Sequence, residues 1–516
     1  MGRTRKRQSK RANENAALPS DAVQFPLIAL AVITAIGTLL RLEYLRQPIR
    51  YDEAVTYLIF ARLPWLSAIA DYRYPNNHVL HTVLVKIAVA MFGNEPWAIR
   101  LPAFAAGILS IPAAYAAARA LYGQRVALVT AALVAGCGAL TLYATNARGY
   151  TMVVLATLVL IILSARAQRT TAVWPWVAFA VVGAAGLWTV PVMLYPLGGV
   201  TLWSLFAVRA ARGTDSPVTR RWRAARALLA FAGACVLGAT LYLPVILRSG
   251  IGALAGNNFV TPSTFDTFLA EVPTGFGDAA RLMLTGIGWP FAMGLIACAI
   301  AGIVYHRRWS NVSTSLFTGM AVWCTVLLLV MHRVPFARVW LFLFPMVAMV
   351  TAIGLIALVT PRLGRAAGAP LAVSVCAVLL SVALAAADIV TDGVRTADEW
   401  ETFPDAEAVA RTLAPELRAG DRIVSTMPKA VADECKDCGY SAMQLTYWFD
   451  KLGVDTTAMQ LPAAQTRRFL FVVNLGEEGG RQAEDSIMRK FAAIPTAAAP
   501  AIVAEFPHAM VFSVSP

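Results

Sequence analysis

Acidic side chains are scarce in this sequence: 30 Asp and Glu stand against 44 Lys and Arg in 516 residues. One adjacent pair draws attention, Asp52 and Glu53 within Tyr51-Asp52-Glu53-Ala54, because it directly follows a long apolar run. A carboxylate held at a membrane surface can take the proton of a hydroxyl as that hydroxyl attacks a lipid-borne donor. The plain alternative is two solvated charges at a helix end. About twenty residues on comes Pro75-Asn76-Asn77-His78, with His81 one helical turn beyond His78 on a similar face. Amide and imidazole groups suit recognition of hydroxyls. Two short polar stretches each join apolar runs: Asn146-Ala147-Arg148-Gly149-Tyr150 and His332-Arg333-Val334-Pro335-Phe336-Ala337-Arg338. Arginine presents a planar fork that matches phosphate oxygens. Taken singly, either Arg148 or Arg338 also reads as a side chain snorkelling to headgroups. Arg248, Asn257, Asn258 and Asp266 complete the polar residues of this kind.

The elements that must position these groups are membrane helices. The chain is 58% hydrophobic and only 14% charged, well below the roughly 25% charged residues of soluble proteins. Repeated apolar runs predict a polytopic α-helical membrane protein. Eleven spans are expected, at 25–42, 98–120, 126–146, 150–165, 172–190, 191–208, 227–247, 286–306, 313–331, 338–359 and 370–390. The run 77–92 is short for a crossing and carries His78, His81 and Lys86. If it lies on the outer surface, the arginine groups at 119/125, 166/169, 209–226, 307/308 and 362/365 all fall inside, as the positive-inside rule requires. If it crosses, they all move outside. The expected arrangement is therefore a basic cytoplasmic tail (1–24), a transmembrane module (25–392) whose first outer loop (43–97) bears surface helices, and an extracytoplasmic tail (393–516). Arg3, Arg5, Lys6, Arg7, Lys10 and Arg11 read as a positive-inside anchor, not a nucleic-acid arm, and the first span reads as uncleaved.

The tail changes character. Charges return, and its pattern predicts helix 405–417, strand 422–425, helix 441–452, strand 469–473, helix 483–492 and a strand near 510–514, a small α/β domain. Cys435 and Cys438 form a CxxC there, read first as a local disulfide and less readily as half of a zinc site. The other five cysteines lie in apolar spans as packing residues.

With these motifs in order, the chain resembles the GT-C glycosyltransferases that use polyprenyl-phosphate sugars. More narrowly it resembles the protein O-mannosyltransferase and aminoarabinose-transferase group, the PMT-2 type. The matching residues are Tyr51-Asp52-Glu53-Ala54, Tyr74-Pro75-Asn76-Asn77-His78, Phe92-Gly93, Trp97-Ala98-Ile99-Arg100-Leu101-Pro102, Ala147-Arg148-Gly149-Tyr150 and Val334-Pro335-Phe336-Ala337-Arg338. They cover roughly residues 1–210 closely, and the rest by architecture. The resemblance implies inverting transfer of a sugar from a polyprenyl-phosphate donor at the outer face of a bacterial plasma membrane to a glycan, lipid or protein acceptor. It implies Asp52 as general base and Glu53 as a group orienting Asp52 or the acceptor. Asn76, Asn77, His78, Tyr150 and His332 would be substrate-binding, with Arg148 and Arg338 at the departing phosphate. Two departures qualify it. Aminoarabinose transferases carry Glu-Lys where this chain has Asn76-Asn77, and oligosaccharyltransferases carry a metal-holding Asp-x-Asp where it has Arg148-Gly149-Tyr150. No cofactor and no obligatory metal are expected. The rival readings are a flippase for a lipid-linked sugar, disfavoured by the missing internal repeat and the lack of mid-span charges, and a noncatalytic envelope subunit.

Overall fold

The computed structural model describes residues 20–210, 216–255, 261–310, 315–363, 369–396, 402–426, 440–454, 467–474 and 501–514. Cys435, Cys438, Asn257, Asn258 and the expected helix 483–492 lie outside the described residues.

Helix α1 (Ser20–Tyr44) leads into the first long loop, which holds α2 (Tyr51–Val55), α3 (Trp65–Ala70) and α4 (Val79–Phe92). α2 runs on into a π-helical turn, Thr56–Ala61. Next come α5 (Pro96–Tyr122), α6 (Gln124–Ala135), α7 (Gly138–Ala144), α8 (Tyr150–Ala167), α9 (Trp174–Thr189), α10 (Leu194–Ala210) and α11 (Pro217–Leu241). After α12 (Leu243–Ser249), α13 (Gly252–Ala255) and α14 (Phe265–Met283), the long helices α15 (Trp289–Trp309), α16 (Leu316–Met331), α17 (Phe344–Leu363) and α18 (Ala369–Thr391) complete the bundle. Local chemistry sets many boundaries. Pro96 and Pro217 open their helices at positions where no N–H is needed. Gly93, Gly123 and Gly250 stop theirs at positive φ, a conformation open to glycine.

Every expected span coincides with a helix, but not all in the expected form. Among the described residues, eight helices, two of them counted with the 3-10 turn before them, are long and apolar enough to cross a membrane. The run 126–146 is not one helix: α6 and α7 make a span only as a pair bent by 59°. α9 and α16, with 16 residues each, fall short of the usual crossing length of about 20. Pro191 breaks the run 172–208, as expected, and opens a short 3-10 turn. Large side chains such as Leu39, Leu229, Val304 and Val390 stay exposed on the helix flanks, as lipid-facing surfaces do.

α4 is the 14-residue surface helix of the first loop. Its Lys86 ammonium donates to the carbonyls of Ala61 (3.1 Å) and Leu63 (2.5 Å) and lies over the Trp65 ring. The charge that spoils this run as a membrane span thus fastens it to the turn after α2.

In the tail, α19 (Gly393–Thr396) and α20 (Ala406–Leu413) precede β1 (Asp421–Thr426), α21 (Tyr440–Lys451), β2 (Arg468–Asn474), β3 (Ala501–Phe506) and β4 (Ala509–Val514). The sheet order is β1-β2-β4-β3, with β1 parallel to β2 and the other pairs antiparallel. β3 has no counterpart in the sequence expectation. α21 sits on the first long loop: Tyr447 packs edge-on against Tyr57 and donates to the Asn94 carbonyl. Arg62 pairs with Asp450 at 2.6 Å and Lys451 with Glu95 at 2.5 Å. Arg50 and Thr402 form an antiparallel bridge. The tail domain therefore buttresses the loop that carries Asp52 and Glu53.

Candidate active site

Asp52 and Glu53 are neighbours with different surroundings. The Glu53 side chain is 1% exposed and fully engaged. Its Oε1 accepts from Arg100 Nε (2.7 Å) and the Ala147 N–H (2.8 Å). Its Oε2 accepts from Arg100 Nη2 (2.6 Å) and the Arg50 N–H (2.8 Å). Arg100 spends its remaining donors on the carbonyls of Leu45, Gln47 and Pro48. One carboxylate thus ties α2, α5, the end of the α1 segment and the turn after α7 together. The sequence singled out Arg100 only within a motif. Its one signal was a charge four residues inside an apolar helix.

Asp52 is more open, and it meets Arg148: Nη1 and Oδ2 are 2.5 Å apart. The turn Asn146–Gly149 reaches it because Ala147 is held by Glu53 and the Gly149 N–H donates to His78 Nδ1 at 2.8 Å. A Cβ on Gly149 would lie 2.4 Å from Thr189 Cγ2, so only glycine allows this approach. Accepting that bond leaves Nδ1 without a proton and puts the single ring proton on Nε2. Burial, and then the charges of Arg148, the neighbouring His81 and Arg338, hold the His78 pKa well below its ordinary value.

Tyr150 gathers the rest. Its ring stands edge-on to His78 (5.1 Å) and Tyr143 (5.5 Å) and lies 5.7 Å under the Arg148 guanidinium. Arg338 donates from Nε to its hydroxyl at 3.2 Å. Arg338 arrives on the 3-10 turn Ala337–Leu343. Asp52, Arg148, Tyr150, His78 and Arg338 therefore form one constellation from four distant parts of the chain. Asn76 borders it and donates to the Asp52 carbonyl at 3.2 Å.

Two expected binding residues stand elsewhere. Asn77 is completely buried and saturated: its amide donates to the carbonyls of Ala68 and Asp71 and its oxygen accepts from Thr82. It shapes the loop, and its burial leaves it no face toward a substrate. His332 packs its ring on Phe265 (5.5 Å) and Phe268 (6.0 Å), not on Tyr150. Its left-handed backbone (φ 44°) ends α16, and its carbonyl accepts from Ser263. His81, in contrast, joins the site's surroundings. It is buried, both ring nitrogens lack a hydrogen-bond partner among the described residues, and burial followed by the Arg148 charge lowers its pKa to about 3. Asn76 Oδ1, Asn146 Oδ1 and Trp188 Nε1 are likewise buried without a partner among the described residues. Each unmade bond costs about 1–3 kcal/mol, and such a concentration of uncompensated polar atoms is more typical of functional sites than of cores.

A cleft of about 620 Å³ is lined by Asp71, Tyr72, Arg73, Pro75, Arg248 and Ser249 among others. Tyr72, on the wall of this cleft, lies within electrostatic reach of Arg148. Among the described residues, no three His, Cys, Asp or Glu side chains converge to hold a metal ion.

Comparison with known proteins places this geometry. Residues 78–237 match the family model described as dolichyl-phosphate-mannose-protein mannosyltransferase, under a third of the chain. ArnT from Cupriavidus metallidurans shares the fold. Its apo structure aligns with a TM-score of 0.57 at 14% identity, over 96% of this chain and 98% of that one. Its structure bound to undecaprenyl phosphate aligns at 0.53 and 15% identity over the same shares. The archaeal oligosaccharyltransferase AglB from Archaeoglobus fulgidus, in complex with an inhibitory peptide and a dolichol-phosphate, is a looser likeness: TM-score 0.46, 12% identity, 90% of this chain and 72% of that one. No curated protein sequence matches the chain.

Proposed function

We propose that this protein, a polytopic membrane chain with the GT-C fold, is a glycosyltransferase that moves a sugar from a polyprenyl-phosphate donor to a hydroxyl at the membrane surface. The observation that carries the reading is the Asp52–Arg148 pair at 2.5 Å beside Arg338 and Tyr150. A base and one phosphate-matching cation meet there, and a second cation joins them through Tyr150. The family match over residues 78–237 and the undecaprenyl-phosphate complex of ArnT support the donor class.

In this mechanism Asp52 accepts the proton of the acceptor hydroxyl as its oxygen attacks the anomeric carbon. The bond from that carbon to the phosphate oxygen breaks, and the polyprenyl phosphate leaves with the electron pair. One displacement with no covalent intermediate inverts the anomeric centre. Arg148 and Arg338 neutralise charge on the departing phosphate, where donors aimed at developing charge act most strongly. Arg148 also holds the Asp52 carboxylate in place until the acceptor arrives. Glu53 holds the frame and touches no reacting atom. Asn76, His78 and His81 offer neutral donors and acceptors to the sugar hydroxyls. The cleft at Arg73 and Arg248 admits the acceptor. The bacterial plasma membrane, with the N-terminus inside and the tail domain outside, is the setting that the charge distribution supports.

The test is transfer of label from a radiolabelled polyprenyl-phosphate-sugar pool to endogenous acceptors in membranes containing or lacking the protein. Label appearing in acceptors only with the protein supports the reading. Movement of the intact lipid-linked sugar across the bilayer, without transfer, establishes the flippase reading in its place.

A further inference from the structure

The short helix that delivers Arg148 to Asp52 starts at a break inside an apolar run. α6 ends at Ala135, α7 begins at Gly138, and their axes differ by 59°. A helix that stops within a bundle leaves its last carbonyls without partners. Arg41, wholly buried in α1, supplies them: Nη1 donates to Ala135 O at 2.9 Å and Nη2 to Val134 O at 3.4 Å. On the other side of the break stands Asp388, 1% exposed in α18. Its Oδ1 lies 2.7 Å from where a Cβ on Gly138 would fall and 2.0 Å from where one on Gly286 would fall. The Tyr44 hydroxyl stands beside Asp388 and donates to its carbonyl at 3.4 Å, the carboxylate oxygens make no hydrogen bond of full geometry among the described residues, and Asp388 lies within electrostatic reach of Arg41. At the far end of α7, Ala144 is seated against Gly107, beside Arg41 Nε. Three residues later Ala147 binds Glu53, and Arg148 meets Asp52.

We infer that Arg41 and Asp388 are positioning residues: this buried pair of opposite charges brackets the helix break and aims α7 so that Arg148 lands on Asp52. The inference rests on the transfer site proposed above. A seven-residue helix is about 10 Å long, so a tilt of roughly 10° at the break moves its far end by about 2 Å. A misplacement of about 1 Å is enough to cost about 100-fold in rate. Both residues escape simple sequence reading, one as the last charge of the first span and the other as a lone acid near the end of the last.

The experiment is a double-mutant cycle in proteoliposomes with the full chain. Arg41→Ala should lower kcat by about 10-fold or more while leaving donor KM nearly unchanged. In an Arg148→Ala background the same change should cost under about 3-fold, because the group it positions is already gone. Arg41→Lys should recover part of the loss, and Asp388→Asn, which keeps shape, should repeat the pattern. Independently of turnover, hydrogen exchange in the peptide 138–149 should rise in Arg41→Ala while that of 150–167 holds. An equal loss of rate in both backgrounds, or unchanged exchange at 138–149, overturns the inference. If Arg41→Ala does not fold, Arg41→Lys and Asp388→Asn carry the same comparisons. If the wild type transfers nothing, the transfer reading falls and the exchange measurement alone decides the positioning claim.

Discussion

Replacing Glu53 with glutamine separates scaffold from chemistry at two adjacent acids. The Glu53 carboxylate accepts four hydrogen bonds, two per oxygen, from Arg100, Arg50 and Ala147, with the pair to Arg100 at 1% exposure on both sides. Glutamine keeps the shape, but its NH2 faces two N–H donors where an acceptor stood, and the Arg100 charge is left uncompensated. Removing one partner of a buried ion pair costs about 3–5 kcal/mol, a large part of a typical folding free energy of about 5–15 kcal/mol. The assay is thermal unfolding in detergent, followed by tryptophan fluorescence, with transfer measured per folded molecule. Glu53→Gln should lower the thermal midpoint by several degrees, and its effect should shrink in an Arg100→Met background because the buried charge has gone too. An unchanged midpoint, together with a rate loss as deep as that of Asp52→Asn, would refute the reasoning and put Glu53 in the chemistry.

Other expectations follow from the same geometry. Arg338→Ala should reduce transfer by about 10²–10³-fold, the usual cost of losing one donor at a developing anion, and Arg338→Lys should restore only part, because ammonium lacks the planar fork; kinetics with a fixed donor pool reads both. Asn77→Ala should destabilise the first loop with little effect on KM for either substrate, as read by proteolysis and initial rates. His81 binds its proton at about pH 3 in the folded chain against 6.5 ordinarily. Between those values the unfolded chain takes up a proton that the folded chain refuses, so stability falls as pH falls through that window; His81→Gln should flatten the stability–pH curve there.

Much of the frame is legible in the residues because membrane insertion speaks through composition. Apolar run length located the expected spans, and the proline at 191 its break, but not α14, whose 19 residues lie between two expected spans. Asp52, Arg148 and Arg338 stand out in the residues because charges at the ends of apolar runs need a reason, and the fold links them: Arg148 meets Asp52, and both arginines meet Tyr150. What stayed hidden depends on partners far apart in the chain. Asn77 and His332 look like binding residues until Thr82 and Phe268 are seen to occupy them. Glu53 looks like a group that orients Asp52 or the acceptor until Arg100 is seen across from it. The bend between α6 and α7 had a local signal, Gly136-Cys137-Gly138 in mid-run, but the Arg41 side chain that completes it comes from about a hundred residues earlier. The strand Ala501–Phe506 was missed although its residues favour extended structure; it is an edge strand whose pattern is exposed on both faces.

The central claim is that Asp52 takes the acceptor's proton while Arg148 and Arg338 hold the leaving phosphate. The most direct measurement is the single-turnover transfer rate of Asp52→Asn against wild type, at matched folded protein and saturating polyprenyl-phosphate sugar. A fall of about 10² or more, with the thermal midpoint and donor binding retained, is the result this account predicts. A rate within a few-fold of wild type would contradict it and move the base elsewhere in the site.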